Sequence, residues 1–416
     1  MTIRTDTSTR SALLWAVACG GLVMGASVGF RHVQGLFLLP MTLERGWSRE
    51  TFAFALAVQN LCWGLAQPFT GAIADRFGSR RVLLAGLLLY AAGVLLMGRA
   101  GTPLQFHLAA GLLIGLAQSC TAFGMVYGAL SRIAPAPERG WVLGLTGAVA
   151  GTFQFVGVPL TQALLATIGW QQALMVLAGL LLLALPAVRR LDDRAALQPA
   201  AGPGAAVEPA TSLREVVAIA LRHRGFLLLN LGFLSCGFHL AFIATHLPAY
   251  LLDQGVAPQV AVTGLAVIAL ANIAGTYCCG HLGALVRRRY LLSGLYLVRT
   301  AAIGLFVATP PTPATVYAFC AVMGFLWLGT VPLTNGLVSQ IFGVRHLSTL
   351  FGLVFLGHQL GSFLGVWIGG WVFDQHRSYE LVWWIALALG LLSAALHWPI
   401  DDRPVALRAR LAAGQV

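Results

Sequence analysis

The sequence predicts an all-α integral membrane protein with twelve transmembrane helices in two pseudo-symmetric six-helix bundles, and three observations lead there. Hydrophobic residues fill 58% of the 416 positions and charged residues only 10%, too little polar surface to coat a water-soluble globule. The apolar residues gather into runs long enough to cross a bilayer, which takes about 20 residues. The second half of the chain also repeats features of the first at an offset of half the length.

Taken in order, the spans are Leu13 to Leu39, Thr51 to Phe69, Val82 to Met97, Phe106 to Leu130, Val142 to Ile168 and Ala173 to Val188, then Phe226 to Leu252, Val260 to Val286, Leu291 to Ala308, Val316 to Phe342, Leu347 to Phe373 and Val382 to Trp398. The first run is longer than a signal-peptide core and is followed by Leu38-Leu39-Pro40-Met41 rather than a small-residue cleavage site, so it is expected to stay as a mature helix. Charge fixes the direction of the others. The tail before the first span and the segments after the even-numbered spans hold the arginine excess, most densely at Arg287, Arg288 and Arg289, while the opposite segments are near neutral. The positive-inside rule then puts both termini in the cytoplasm. The net charge of +12 reports topology rather than a nucleic-acid partner.

The repeat is clearest where Ser27, Gly29, Phe30 and Pro40 fall on Ser235, Gly237, Phe238 and Pro248, with Arg31 falling on His239. The same offset pairs Gly144 with Gly352, and one residue more pairs Gly71 with Gly280. Two bundles are therefore expected, residues 1–190 and 223–416. Between them, residues 191–222 form a cytoplasmic linker, Pro- and Gly-rich at Gln198-Pro199-Ala200-Ala201-Gly202-Pro203-Gly204 and closed by a short amphipathic helix after Ser212. All seven cysteines fall inside predicted spans, where a disulfide framework or metal cage is not expected. No cofactor and no metal site is predicted.

Between the second and third spans lies Gly71-Ala72-Ile73-Ala74-Asp75-Arg76-Phe77-Gly78-Ser79-Arg80-Arg81, a compact acid-plus-arginine turn. The pattern resembles the signature loop between helices two and three of the major facilitator superfamily. That resemblance implies a secondary transporter working by alternating access, with Gly71, Asp75, Arg76, Gly78, Arg80 and Arg81 as its conformational hinge. The chain contains no lysine, hence no P-loop lysine and no Schiff-base lysine, so the driving force is expected to be a gradient rather than ATP. A nucleophile–base or acid pair is missing from the spans as well, so the chain does not read as an enzyme.

A charge within the membrane is costly and marks a partner or a pathway. Two arginines lie inside spans, Arg31 and Arg299. Arg31 shares a helical face with Ser27 and Gln34, and the equivalent stripe in the seventh span is Ser235, His239 and His246. Helices one and seven line the central cavity of the superfamily, so the resemblance implies that Arg31 and His239 face each other across a substrate path. A structural, carbonyl-bonded arginine and a satisfied core histidine are the alternatives. Arg299 falls in the ninth span, an outer helix of the superfamily, either as a ligand or as an internal polar tie. Gln34, Tyr127, Gln154, Asn272 and Asn335 complete the candidate substrate-binding set. Arginine grips carboxylates in a two-pronged fork, so the expected substrate is a small organic anion, foremost a monocarboxylate.

The apolar parts of the spans hold no Asp or Glu, so if protons are coupled the carriers are histidines: His239 first, then His32 and His358. His32 lies beside the ladder Gly21, Gly25, Gly29, and His358 flanks Gly357, Gly361, Gly365, Gly369, spacings that favour helix packing.

Gly35-Leu36-Phe37-Leu38-Leu39-Pro40-Met41 with Gly46-Trp47-Ser48, and Arg139-Gly140-Trp141-Val142-Leu143-Gly144, sharpen the resemblance to the monocarboxylate-transporter-like and oxalate/formate-antiporter-like branch. The sequence departs from that branch in helix eight, where Asn272 and Thr276 stand in place of its Asp-x-x-x-Arg pair. Export of amphiphilic, drug-like compounds is the alternative, on the glycines of the fifth span, and a non-transporting membrane sensor is a remote one. The expected setting is the bacterial inner membrane, multi-pass, with the lipid bilayer, the anion and protons as partners and a monomer as the working unit.

Overall fold

A computed structural model describes residues 7–135, 138–194, 213–342 and 347–405. It is built from helices: α1 (Thr7–Val33), α2 (Leu38–Arg45), α3 (Arg49–Phe77), α4 (Ser79–Arg99), α5 (Pro103–Phe106), α6 (Ile114–Thr121), α7 (Phe123–Ile133), α8 (Arg139–Leu183), α9 (Leu213–Arg222), α10 (Arg224–Asp253), α11 (Pro258–Leu285), α12 (Arg288–Ala308), α13 (Pro313–Phe325), α14 (Thr330–Phe342), α15 (Leu347–His376) and α16 (Glu380–His397). Ten helical stretches among the described residues are long and apolar enough to cross a membrane. One of them, Trp141–Leu191, is broken at Gly169, whose φ of 76° only glycine adopts without strain. The helix Arg49–Phe77 is not among the ten, because Gln59, Asn60 and Gln67 interrupt its apolar run. The linker centre and Ser212 lie outside the described residues, as does Arg345.

Several expected spans are not single helices. The first ends at Val33, tightens through a 3₁₀ turn Gln34–Phe37 and resumes as α2, so Gln34 does not continue the α-helical face of Arg31. The fourth passes through a π-helical stretch, His107–Leu113, and breaks at Ala122 (φ −85°, ψ −169°). The tenth breaks between Phe325 and Thr330, where Pro332 has no N–H to offer the preceding turn. Carbonyls freed inside a membrane need donors. Arg299 supplies them, with Nη2 donating to Leu326 O at 2.5 Å and Trp327 O at 3.3 Å. Asn272 answers the other end of the break, its Oδ1 accepting from Leu328 N at 3.1 Å.

Within each half the closest helix pairs meet through small residues. An added Cβ on Gly21 would lie 2.5 Å from Val149, and on Gly25 2.7 Å from Phe153, so α1 lies tight against α8. The Gly357 ladder of α15 rides on α10, where Gly361 and Gly365 meet the carbonyls of Leu234 and Phe238. Both ladders are packing devices.

The halves join mainly along two pairs, α3 with α15 and α8 with α11. Their polar ties cluster at the end of the bundle opposite the termini. There Arg49 pairs with Asp253, Glu50 N donates to Asp374 at 2.7 Å, and Trp367 Nε1 donates to Glu50 at 3.2 Å. At the end that carries the termini the same four helices are less tightly packed at four glycines. Gly71, Gly144, Gly280 and Gly352, the glycines paired by the internal repeat, sit one on each of α3, α8, α11 and α15, and a Cβ on any of them would meet nothing within 4 Å. Among the described residues the ion pair between the halves therefore sits at one end, the closed end, and the end that carries the termini, the open end, has none.

Candidate functional site

Arg31 projects from α1 toward α3, its guanidinium carbon 5.3 Å from the centroid of Trp63. Trp63 is held in place because its Nε1 donates to Gln67 Oε1 at 2.8 Å. At that distance the guanidinium is within cation–π range of the indole. Arg31 is half-buried, and among the described residues no carboxylate or carbonyl pairs with it. Arg299 differs in every respect: it is fully buried, saturates the carbonyls of the α13–α14 break, donates to Cys236 Sγ at 3.3 Å and lies 5.3 Å from the Tyr296 ring. Of the two spanning-segment arginines, one is consumed by the fold and one is presented.

Rings continue from Trp63 into the other half. Phe355 of α15 meets Trp63 edge-on at 5.1 Å and stacks on His358 at 5.4 Å with the planes 6° apart. His358 also meets Phe233 at 4.9 Å and pairs through Nδ1 with Gln359 Oε1 at 3.0 Å. Gln359 Nε2 in turn donates to Asn60 O at 3.2 Å, crossing between halves. The chain Arg31–Trp63–Phe355–His358 therefore links α1 and α3 to α15.

His239 is not brought to this cluster. The stripe that it shares with Ser235 docks on α16, where Ser235 Oγ donates to Leu389 O at 3.0 Å and His239 Nε2 bonds Ala386 O at 2.8 Å, fully buried. His246 follows the same pattern with Val366 O at 2.9 Å and Tyr379 OH at 3.2 Å. His32 bridges the halves, its Nε2 bonding Leu265 O at 3.1 Å. Of the neutral candidates, Tyr127 is half-buried with its hydroxyl beside Gly147, on the face that also carries Phe123. Gln154 is buried behind α1 near Gly29, and Gln34 is buried with both amide atoms unpartnered. Asn335 is half-buried with an unpartnered Oδ1, while Asn272 is spent on Leu328 and Thr276.

At the hinge, Gly78 adopts φ 88° between α3 and α4, and a Cβ there would lie 2.6 Å from Arg194. Arg80 donates to Asp192 at 3.1 Å and holds that carboxyl below its ordinary range. Arg76 lies over the Phe77 ring, Arg81 is exposed, Gly71 faces open space, and the side chain of Asp75 lies outside the described residues. The centre of this end is a residue that sequence reasoning missed. The fully buried Asp193 carboxylate accepts from Ser79 N and Ser79 Oγ, each at 2.8 Å, and from Arg132 Nε at 2.7 Å, tying α4 and α7 to the end of the first half. Its signal was the Asp192-Asp193 pair in an otherwise basic segment.

Comparison with known proteins places these features in context. A family model described as Major Facilitator Superfamily matches residues 13–366. Among relatives, the Escherichia coli (strain K12) protein "Uncharacterized MFS-type transporter YhjX" is 24% identical over 358 residues, covering 84% of this chain and 85% of its own. "Monocarboxylate transporter 13" of Bos taurus is 28% identical over 392 residues, covering 92% and 88%. "Uncharacterized MFS-type transporter YcxA" of Bacillus subtilis (strain 168) is 24% identical over 376 residues, covering 88% and 90%.

Proposed function

Because the chain belongs to the major facilitator superfamily, whose members are membrane transporters and not enzymes, we propose that it moves a small organic anion, foremost a monocarboxylate, by alternating access across the bacterial inner membrane. The observation that carries this reading is Arg31: a cation in a spanning segment, half-buried, oriented by Trp63 and without an anionic partner among the described residues. A cation kept unpaired at depth is costly, and a substrate carboxylate would remove that cost on arrival. The names of mammalian relatives point to the same substrate class.

In this reading the chain crosses the membrane twelve times. The stretch Trp141–Leu191 counts as two crossings on either side of Gly169, and Arg49–Phe77 is the remaining one. Residues 1–190 and 223–416 are the two rocking bundles, residues 191–222 their linker, and a monomer suffices. The arginine bias puts the termini and the open end in the cytoplasm, so the arrangement corresponds to a substrate site reachable from inside and sealed outside by the ties around Arg49 and Asp253. If uptake is proton-coupled, His358 is the carrier among the three histidines considered, because it belongs to the ring chain that ends at Arg31, whereas His239 is spent on Ala386 and His32 on Leu265.

The test is protein in liposomes loaded with a pH dye and offered monocarboxylates, dicarboxylates and amphiphilic cations, with empty liposomes as the control for passive acid leak. Protein-dependent acidification with a monocarboxylate is expected. A response to amphiphilic cations alone would move the chain to the exporters.

A further inference from the structure

We infer that the preferred anion is an aromatic monocarboxylate of the benzoate or arylacetate type, an inference that rests on Arg31 being the anion anchor. The Trp63 ring lies 5.3 Å from the guanidinium carbon of Arg31, and Phe355 and then Phe351 continue the ring surface along α15 toward the end that carries the termini, at 5.1 and 6.4 Å between successive centroids. On the first half, Gln67 beside Gly124 leads to Phe123 and Tyr127, 6.1 Å apart. Phe123, Tyr127, Phe351 and Phe355 are each partly exposed, so part of each ring is left uncovered by the protein.

Flat apolar walls beside one cation match a ligand with a planar apolar body and one carboxylate. A two- or three-carbon hydroxy acid would leave those walls against water. A dicarboxylate needs a second cation. The other spanning-segment arginine, Arg299, is fully buried and bonded to the carbonyls of Leu326 and Trp327, so it is not on offer.

The experiment is calorimetric binding of phenylacetate, benzoate, lactate, succinate and benzyl alcohol to the full-length protein in nanodiscs, with Arg31→Gln, Phe355→Leu and Phe355→Tyr variants checked for unchanged thermal unfolding. Phenylacetate is expected to bind at least about tenfold more tightly than lactate. Phe355→Leu should weaken phenylacetate by about fivefold, the size of one aromatic contact, while lactate is unaffected and Phe355→Tyr restores the preference. Benzyl alcohol, lacking the carboxylate, should not bind. Lactate or succinate binding as tightly as phenylacetate, with all three lost in Arg31→Gln, would overturn the aromatic preference and keep the anion anchor. Binding of no carboxylate at all would overturn both.

Discussion

Arg49, at the start of α3, and Asp253, at the end of α10, form a two-pronged ion pair across the halves, with Nη1–Oδ2 at 2.6 Å and Nη2–Oδ1 at 2.7 Å. Arg49 also donates to Tyr379 OH at 3.1 Å and lies 3.8 Å from the centroid of Phe373, so the pair is held from α10, from α15 and from the residue that caps α16. It lies at the closed end, where separation of the halves would have to begin. Asp253→Asn is expected to shift the population toward opening at this end by about fivefold, in keeping with roughly 1 kcal/mol for a well-aligned but partly exposed pair. Distances between spin labels placed across this end should lengthen, and unchanged distance distributions would remove the pair from the gate.

A second prediction concerns the opposite end. Asp193 is fully buried and accepts from the first turn of α4 as well as from Arg132. Asp193→Asn keeps the size but removes the buried charge that accepts from Ser79 and Arg132, and should lower stability by about 2 kcal/mol, the size of a charge-assisted hydrogen bond, read as a fall in melting temperature. The neighbouring pair behaves differently. Asp192 is partly exposed and its carboxyl is held below the ordinary value of 3.8 by Arg80. Its contribution is therefore complete above that value and fades as pH falls through the depressed one. Asp192→Asn should leave the melting temperature near neutral pH almost unchanged and flatten its loss below pH 3.8.

The two spanning arginines should separate stability from substrate binding. Arg299→Gln leaves the carbonyls of Leu326 and Trp327 without their donor and is expected to lower the melting temperature by several degrees, with substrate affinity intact in whatever folds. Arg31→Gln should do the reverse.

Glycines give a steric control for the same architecture. Gly361 and Gly275 back onto the carbonyls of Leu234 and Phe325, so alanine at either position should abolish folded protein in size-exclusion chromatography. Gly352→Ala and Gly280→Ala enter open space and should fold as well as the parent. If the open end must close during the cycle, these two variants should still slow transport.

The fold was legible in the sequence because its determinants are cumulative: twenty-residue apolar runs, an arginine bias repeated at every second segment, and glycine ladders such as Gly357 to Gly369. Single-residue roles were less so, because the rotation of a helix about its axis is set by its partner. Ser235 and His239 share a polar face, as the spacing requires, but that face is claimed by the carbonyls of Leu389 and Ala386. Helix breaks were missed where the apolar run continues through them, as at Leu326-Trp327-Leu328, although Gly329 and Pro332 were the available signals. Arg31 draws notice because a lone charge in an apolar run stands out. Its aromatic setting was not legible, since Trp63 and Phe355 come from distant helices of different halves.

The most direct measurement is uptake of a labelled monocarboxylate into liposomes by the wild type and by Arg31→Gln, at matched protein incorporation and with the melting temperature of each recorded. Arg31→Gln is expected to fold normally and to lose affinity by at least about tenfold, the size of a charge-assisted contact. Full uptake with unchanged apparent affinity in Arg31→Gln would contradict Arg31 as the anion anchor.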